Sequence, residues 1–249
     1  MMQFYCKSDT GKLRNQNQDT VFGVNTPVGK LPNLLIVADG MGGHKAGDFA
    51  SRYAVETIVE RIQSSPYENP LLVVSDAIRL VNRQVYEKSK EFEEYRGMGT
   101  TLTLAYLSGD RLHVFQIGDS RLYLIRDSIR QITQDHSYVE EMYRKGLLSR
   151  DSEEYHSKKN IITRALGTAD FMGPDVFEEA VRPGDRILLC SDGLTNMVTD
   201  ERIFEEISNG KSLERTAERL IDQANRNGGT DNISVVLAEV DEETGIGRI

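Results

Sequence analysis

Short apolar runs that end in Asp and Gly alternate along the chain with longer segments of helical periodicity. The run LLIVA at 34–38 is followed directly by Asp39 and Gly40, which predicts a strand buried on both faces. Two later runs, RILLCS at 186–191 and ISVVLAEV at 233–240, predict further strands. None of these runs approaches the roughly 20 apolar residues that a membrane-spanning helix requires.

Residues 100–132 contain four more strand-like segments in close succession. TTLTLAYL, RLHVFQI, RLYLIR and IRQI are separated by turns at Ser108-Gly109-Asp110, Gly118-Asp119-Ser120 and Asp127-Ser128. Such short connections favour antiparallel neighbours. The segment is therefore expected to form a meander.

Helical periodicity predicts three helices, of which the first covers about 46–63. The second has Asn69 as its N-cap and Pro70 as its first residue. The third follows the N-cap Ser212 and ends near Asn227, before two glycines. The predicted apolar faces of the second and third helices consist of Leu71, Val74, Ile78, Val81 and Val85, and of Leu213, Ala217, Leu220, Ile221 and Ala224.

Residues 134–168 are polar, weakly helical and without a strand pattern. A stretch of this length in a compact domain is typical of a lid, an insertion or a binding flap. Elsewhere, several antiparallel strands and grouped helices predict the α+β class, with helices covering sheets. Because no shift in composition marks a boundary, residues 1–249 are expected to form a single domain.

The chain has 249 residues, with 39 Asp and Glu against 30 Lys and Arg, so its formal net charge is −9. This acidity disfavours nucleic acid as a partner, because binding to a phosphate backbone requires clustered basic residues. It also disfavours a polybasic membrane anchor. With two Cys and an N-terminus that lacks a signal-peptide pattern, we expect no disulfide framework and a cytoplasmic location.

Five aspartates occupy positions where predicted strands begin or end. They are Asp19, Asp39, Asp119, Asp192 and Asp231. Any one of them is also a common turn residue, because Asp and Gly favour turns. Carboxylates gathered at strand ends repel one another unless a cation neutralises them, and Mg²⁺ or Mn²⁺ suits an all-oxygen site. A backbone carbonyl such as that of Gly40 could also ligate the ion, whereas the sequence has no Cys and His cluster with zinc spacing.

Two further residues could complete a reaction centre. Arg14 precedes Asp19 by five positions, and an Arg fork can hold a phosphoryl group by two hydrogen bonds. His44 lies in the Gly-rich turn after Asp39, where an exposed His can act as a general acid. A surface Arg and a His without a role at a helix start are the alternative interpretations.

Other phosphate and hydrolase motifs do not fit the sequence. The segment 34–47 resembles a dinucleotide loop, but Lys45 stands where the third Gly belongs, and Asp48 after Gly47 rules out a Walker motif. A cysteine phosphatase needs Arg six positions after Cys, a spacing that neither Cys6 nor Cys190 has. No Gly-x-Ser-x-Gly motif is present, which disfavours a serine hydrolase.

Six motifs together resemble, in order, those of the metal-dependent protein Ser/Thr phosphatases of the type-2C class, especially compact bacterial members. They are RNQNQD at 14–19, DGMGGHKAG at 39–47, GMGTTL at 97–102, GDSRLYL at 118–124, SDGL at 191–194 and GGTDNISVVL at 228–237. The resemblance implies a four-layer α/β/β/α sandwich with two central antiparallel sheets and a metal channel at one end.

The same resemblance implies roles for the site residues. Asp39 would be shared by two Mn²⁺ or Mg²⁺ ions, with Gly40 ligating through its carbonyl. The remaining carboxylate ligands would be Asp192 and Asp231. Asp19 would support the pair through bound water, and Asp119 would help to hold a third, weaker metal.

The family also implies hydrolysis of phosphoserine and phosphothreonine on proteins, with Arg14 holding the phosphate and His44 as the general acid. Residues 138–165 would form a flap beside the site. A Ser/Thr kinase and its substrates would be the partners of a monomeric enzyme. Gln18, where many relatives carry Glu, and Ser157, where relatives often carry Pro, depart from the family pattern.

Two other functional classes remain open on the sequence. A degenerate phosphatase could bind phosphoproteins without catalysis, but no expected metal-binding Asp is missing. A two-metal phosphodiesterase or nuclease would need a basic groove for a polynucleotide, which the net charge of −9 disfavours.

Overall fold

The computed structural model describes residues 2–43, 46–91 and 93–241. The strands in these ranges are β1 (Met2–Asp9), β2 (Asp19–Val24), β3 (Leu34–Met41), β4 (Gly99–Thr100), β5 (Leu102–Ser108), β6 (Arg111–Ile117), β7 (Arg121–Ile125), β8 (Ile129–Gln131), β9 (Asp175–Ala180), β10 (Arg186–Cys190) and β11 (Ile233–Val240). The α-helices are α1 (Ala46–Gln63), α2 (Pro70–Glu91), α3 (Tyr138–Arg144), α4 (Glu153–Lys158), α5 (Asp192–Thr195), α6 (Asp200–Asn209) and α7 (Leu213–Arg226).

The strands form two antiparallel sheets. The first has the order β1-β11-β10-β7-β8, so its two chain-terminal strands are neighbours. The second has the order β2-β3-β5-β6-β9, and β4 extends it by pairing with the end of β3. Strands β3 and β10, which the apolar runs predicted, lie inside the two sheets rather than at their edges.

Three apolar layers hold the sandwich together. Between the sheets, Val37 of β3 and Leu189 of β10 belong to one buried cluster. Ile36 points to the other face of its sheet, where it joins the apolar residues of α1 and α2, because successive strand residues alternate in direction. Leu188 likewise faces outward and packs in a cluster with Leu220 of α7. The layers run helix, sheet, sheet, helix, which confirms the predicted α+β sandwich.

The prediction that residues 100–132 form one meander is wrong at its second turn. β5 pairs with β6, and β7 pairs with β8, but β6 and β7 belong to different sheets. The chain therefore crosses between the sheets at Gly118-Asp119-Ser120. The fully buried Gln116 side chain holds this crossing, because its Nε2 donates to the carbonyls of Gly118 at 3.0 Å and Ser120 at 2.6 Å.

The predicted helix positions agree with the structure. α1 covers Ala46–Gln63, and α2 begins at Pro70 after Asn69, whose Oδ1 accepts the Leu71 backbone N–H at 2.9 Å. Leu71 itself is 38% exposed and not part of the buried face, which begins with Val73. No helix in the described residues is long and apolar enough to cross a membrane.

The segment that the sequence predicted as a flap, residues 138–165, contains the short helices α3 and α4. It is held to the body of the protein by a backbone bridge between Ser137 and Ile162. Within the segment, Arg150 contacts Glu140 at 2.9 Å, and the Tyr155 hydroxyl lies 3.1 Å from the same carboxylate. These contacts connect α3 to α4 across the intervening loop.

Candidate active site

The predicted aspartates meet at one end of the sandwich because the strands that carry them begin or end there. The register of β2 and β3 places Asp19 directly opposite Asp39. Asp119 lies in the crossing between the two sheets. Asp192 is the first residue of α5, two residues after β10 ends, and Asp231 lies two residues before β11.

A cleft of about 270 Å³ opens at this end. Its lining includes six of the predicted site residues, which are Arg14, Asp39, Gly40, Asp119, Asp192 and Asp231. Asp19 does not line the cleft, since it is only 9% exposed and its Oδ2 accepts a hydrogen bond from Ser191 Oγ at 2.7 Å. His44 lies outside the described residues.

Burial and mutual repulsion raise the pKa of four of the carboxyl groups. Desolvation is the largest cause in each case, and it lifts the pKa of Asp39 and Asp119 well above the usual range of a carboxyl group. The pKa of Asp19 is raised to about 7 and that of Asp192 to about 6, with neighbouring carboxylates adding to the effect of burial. Because these groups are close together and buried, their ionisation is unfavourable unless a cation compensates the negative charge.

Unpaired oxygens in the same groups fit a divalent cation. One Oδ1 atom on each of Asp19, Asp119 and Asp192 is buried without a hydrogen-bond partner. Such atoms are costly to bury unless something pairs with them, and hard cations such as Mg²⁺ and Mn²⁺ bind oxygen ligands. Among the described residues, no group of three acidic, His or Cys side chains is arranged to hold a metal ion. Cations bound here would therefore need water and backbone carbonyls as further ligands, which Mg²⁺ commonly uses.

Two glycines bring the ends of β3 and α1 together beside the cleft. A Cβ atom at Gly40 would lie 2.1 Å from the carbonyl oxygen of Gly47, and one at Gly47 would lie 2.7 Å from the carbonyl oxygen of Gly40. Any side chain at either position would displace the backbone. The two glycines thus fix the position of the Gly40 carbonyl, the predicted backbone ligand.

Asn232 anchors the loop that carries Arg14. The residue is 4% exposed, and its Nδ2 donates to the carbonyls of Thr10 at 2.9 Å and Gln16 at 3.0 Å. Its Oδ1 accepts the backbone N–H of Gln18 at 2.8 Å. Arg14 lies between these anchored positions. The Asn232 amide therefore helps to hold the loop at the cleft, together with the Gly229 carbonyl, which accepts the backbone N–H groups of Lys12 and Leu13.

A second cavity, of about 200 Å³, lies between the cleft and the segment 138–165 and shares Asp119 and Asp192 with the cleft. Lys159 lines it, and desolvation lowers the pKa of this amine although Asp192 acts in the opposite direction. Asn196 also lines the cavity and donates from Nδ2 to Asp192 Oδ2 at 2.9 Å. The segment therefore adds a basic side chain to an otherwise acidic end of the sandwich.

Three polar residues at the site were missed by the sequence analysis, namely Ser191, Asn196 and Asn232. Ser191 and Asn232 are direct neighbours of predicted aspartates, and Asn196 follows Asp192 by one helical turn. Their proximity along the chain to predicted aspartates was the only signal in the sequence that could have identified them. The contacts themselves could not be predicted, because the hydrogen bond from Ser191 to Asp19, for example, joins residues 172 positions apart.

Comparison with known proteins places these features in a family. The family model described as Protein phosphatase 2C matches residues 13–237. The chain is 38% identical to the serine/threonine phosphatase stp of Listeria innocua over 241 residues, which is 94% of each protein. It is similar to the solved S. agalactiae serine/threonine phosphatase, with a TM-score of 0.90 and 33% identity over 97% of this chain and 100% of that chain.

A second solved structure is the catalytic domain of the serine threonine protein phosphatase PstP in complex with two manganese ions. The likeness has a TM-score of 0.83 and 37% identity over 96% of this chain and 99% of that chain. The family match extends from the loop that carries Arg14 into the last strand, and so includes every predicted site residue. The chain belongs to the protein phosphatase 2C family.

Proposed function

We propose that this protein is a metal-dependent phosphatase that hydrolyses phosphoserine and phosphothreonine monoesters on proteins. The observation that carries the proposal is the cleft in which Arg14 lies among carboxyl groups with raised pKa values and unpaired oxygens. An anionic phosphate would be repelled by such a cleft unless cations were bound there. A relative named as a serine/threonine phosphatase and matched over 94% of its length, and a similar catalytic domain solved with two manganese ions, support this proposal.

Two Mn²⁺ or Mg²⁺ ions would be held by Asp39, the carbonyl of Gly40, Asp192 and Asp231, with Asp19 in support. Asp119 would contribute to a third, weaker site. When bound, such ions lower the pKa of a water molecule and thereby supply hydroxide at neutral pH. The buried oxygens of Asp19, Asp119 and Asp192 that lack partners are consistent with these assignments.

The chain's own residues bind the phosphoryl group and protonate the leaving group. Arg14 would hold two phosphoryl oxygens with its guanidinium fork and stabilise the charge on them as the transition state forms. Among the described residues that line the cleft there is no Ser, Thr or Cys side chain, which is consistent with the oxygen of water as the nucleophile. As its bond to phosphorus forms, the bond to the Ser or Thr oxygen breaks, and His44 would donate a proton to that oxygen.

The finer aspects of function are proposed on chemical grounds. We infer that the substrates are a Ser/Thr kinase and the proteins it phosphorylates, because such kinases make the monoesters that this site would cleave. Residues 138–165 would act as a flap, since Lys159 lines the cavity that joins this segment to the cleft. We also propose that the enzyme acts as a monomer in the cytoplasm, where its two free cysteines, Cys6 and Cys190, would stay reduced.

The test compares metal-dependent turnover in matched variants. With Mn²⁺ and a phosphothreonine peptide, we expect Asp39→Ala and Asp192→Ala to reduce phosphate release to background while the circular dichroism spectrum stays native. Asp110→Ala, which removes an exposed carboxylate in the turn between β5 and β6, at the opposite end of β6 from Asp119, should keep wild-type turnover. Most of the activity surviving in either cleft variant would contradict the assignment.

The same assay separates the alternative classes. Activity on the phosphopeptide should disappear with EDTA and return with Mn²⁺, whereas a single-stranded oligonucleotide should remain intact. Cleavage of the oligonucleotide would favour a phosphodiesterase. Binding of the phosphopeptide without turnover would favour a non-catalytic module.

A further inference from the structure

A groove of about 280 Å³ lies beside the cleft, between the loop that carries Arg14 and the Gly-rich turn after β3. It shares Arg14, Gln18 and Gly42 with the cleft, so the two form one continuous depression. A chain whose phosphorylated residue occupies the cleft must continue along the surface, and this groove is one of the paths open to it.

Arg14 is the only charged side chain among the described residues that line the groove. The rest of the lining consists of Leu13, two glycines and the uncharged amide side chains of Asn15, Gln16 and Gln18. On one side, Leu13 is 68% exposed. On the other, Gly42 and Gly43 present bare backbone, and a Cβ atom added to Gly43 would meet nothing within 4 Å. Gln16 lies at the rim, with its Nε2 3.4 Å from Asp48 Oδ2. Single exposed leucines are common on protein surfaces, but this one lines a depression and directly precedes the phosphate-holding Arg.

The opposite side of the cleft has a different character. There the second cavity is lined by charged groups, among them Arg121, Asp135 and Lys159. Arg121 is already engaged by Asp135, with Nη2 2.7 Å from Oδ2. A peptide that crosses the cleft would therefore meet charged side chains on one side and, on the other, Leu13 together with bare glycine backbone and uncharged amides.

We propose that the groove beside Leu13 binds an apolar side chain close to the phosphorylated residue, so that the preferred substrates are phosphosites flanked by Leu, Ile, Val or Met. An extended peptide advances about 3.3 Å per residue, which places the apolar residue within roughly two positions of the phosphoserine or phosphothreonine. A charged side chain in the groove would lose water, and the one charged partner among the described lining residues is Arg14, which already contacts Asp231 at 2.7 Å. This inference rests on the proposed function and specifies its substrate class.

The test is a set of phosphothreonine peptides that differ only in where one Leu replaces Ser, at the positions −2, −1, +1 and +2. Phosphate release with Mn²⁺ gives kcat/KM for each peptide, normalised to p-nitrophenyl phosphate, which has no flanking residues. For the wild type we expect one Leu position to raise kcat/KM by about fivefold or more over the value for the all-Ser peptide. This preference is smaller than the discrimination that a fully closed apolar pocket achieves. Leu13→Ser should reduce this ratio to less than about twofold.

A control is available in Leu72, which is 55% exposed and lies in α2, away from the residues that line the cleft, the groove and the second cavity. Leu72→Ser makes the same change on another exposed side chain and should keep the wild-type ratio. Leu13→Lys should instead raise the relative kcat/KM of a peptide that carries Glu at the preferred position, because the new amine would face it.

The outcomes separate this inference from the proposed function. If the wild type hydrolyses all the phosphopeptides at equal rates, or if Leu13→Ser keeps the preference, the groove assignment is wrong and the phosphatase assignment stands. Loss of the preference in Leu72→Ser as well would also overturn the groove assignment. No hydrolysis of any phosphopeptide with Mn²⁺ would overturn both.

Discussion

The Arg14 guanidinium donates a hydrogen bond from Nη2 to Asp231 Oδ2 at 2.7 Å, across 217 positions of the chain. The other carboxylate oxygen of Asp231 accepts the backbone N–H of Asn232 at 2.8 Å. Arg14 is 51% exposed, so part of its fork remains free to contact a phosphoryl group. The residue proposed to hold phosphate is thus directly connected to a residue proposed to hold metal.

Arg14 should be replaceable neither by Ala nor by Lys. We expect Arg14→Ala to lower kcat/KM for a phosphothreonine peptide roughly 10²-fold, the size of effect seen when one donor to a transition-state oxygen is removed. Arg14→Lys should recover less than a tenth of the lost activity, because a lysine amine is a point charge that cannot form the paired hydrogen bonds of a guanidinium. Steady-state kinetics with saturating Mn²⁺ measures both, and full activity in Arg14→Lys would contradict a bidentate role.

Local features of the sequence mark the carboxylates that the structure brings together at this end of the sandwich. An apolar run closed by Asp and Gly identifies a buried strand and its end at once, as at Asp39 and Asp192. Where strands end at the same side of a sandwich, their terminal carboxylates meet. The register that pairs Asp19 with Asp39 is consistent with that expectation, although no local pattern specifies a register.

The remainder of the fold could not be predicted because it depends on distant contacts. The turn at Gly118-Asp119-Ser120 has the sequence of a hairpin turn. In the structure the chain instead crosses there from one sheet to the other, and the Gln116 side chain donates hydrogen bonds to the backbone on both sides of Asp119. Strand β9 was missed because DVFEEA is acidic and alternates between half-buried and exposed positions at a sheet edge. Strand β1 was missed because most of its residues are only half buried.

The proposed role of His44 can be tested by varying the leaving group. His44→Ala should lower kcat for a phosphothreonine peptide roughly 10²-fold or more, because an unprotonated alkoxide is a poor leaving group. The loss for p-nitrophenyl phosphate should be much smaller, since nitrophenolate leaves readily without a proton. Equal losses on the two substrates would argue against a general acid and for a role in folding or binding.

The raised carboxyl pKa values predict how the stability of the metal-free protein depends on pH. For Asp192 and Asp19 the folded-state pKa values of about 6 and 7 lie above those of an unfolded chain. The folded protein therefore binds more protons between about pH 4 and pH 7, and the stability gained from the protonated groups is lost as pH rises through the folded values. In EDTA, the melting temperature should fall between pH 5 and pH 8, and Mn²⁺ should raise it more at pH 8 than at pH 5.

Asp192→Asn provides the control for that experiment, because the pKa of Asp192, about 6, leaves this carboxyl group ionised at pH 8. The substitution removes one repelling charge, so in EDTA at pH 8 the variant should melt at a higher temperature than the wild type. The difference between the two proteins should shrink toward pH 5, where the wild-type carboxyl groups are protonated. A variant that is less stable than the wild type at pH 8 would show that repulsion among the carboxylates does not limit stability.

Asn232 should act on catalysis through Arg14. Its amide holds both ends of the loop around Arg14, with bonds to Thr10, Gln16 and Gln18. Asn232→Ala should lower kcat/KM roughly 10-fold to 100-fold, because a small misplacement of a group that orients substrate has an effect of this order. In the Arg14→Ala background the same substitution should have much less effect, since the residue through which it acts is already gone.

Asn33 offers a matched control for this double-mutant cycle. It is 8% exposed, and its side chain also bonds to the backbone, accepting the Leu107 N–H and donating to the Leu107 carbonyl, both at 2.7 Å. It lies just before β3 begins, at the other end of the strand from Asp39. Asn33→Ala should therefore lower the free energy of unfolding by about 1–3 kcal/mol, as Asn232→Ala should, because both leave buried backbone groups unpaired. Only Asn232→Ala should also lower kcat/KM in a way that depends on Arg14. If the two variants lower kcat/KM equally, Asn232 has a purely structural role. The same conclusion follows if Asn232→Ala has its full effect in the Arg14→Ala background.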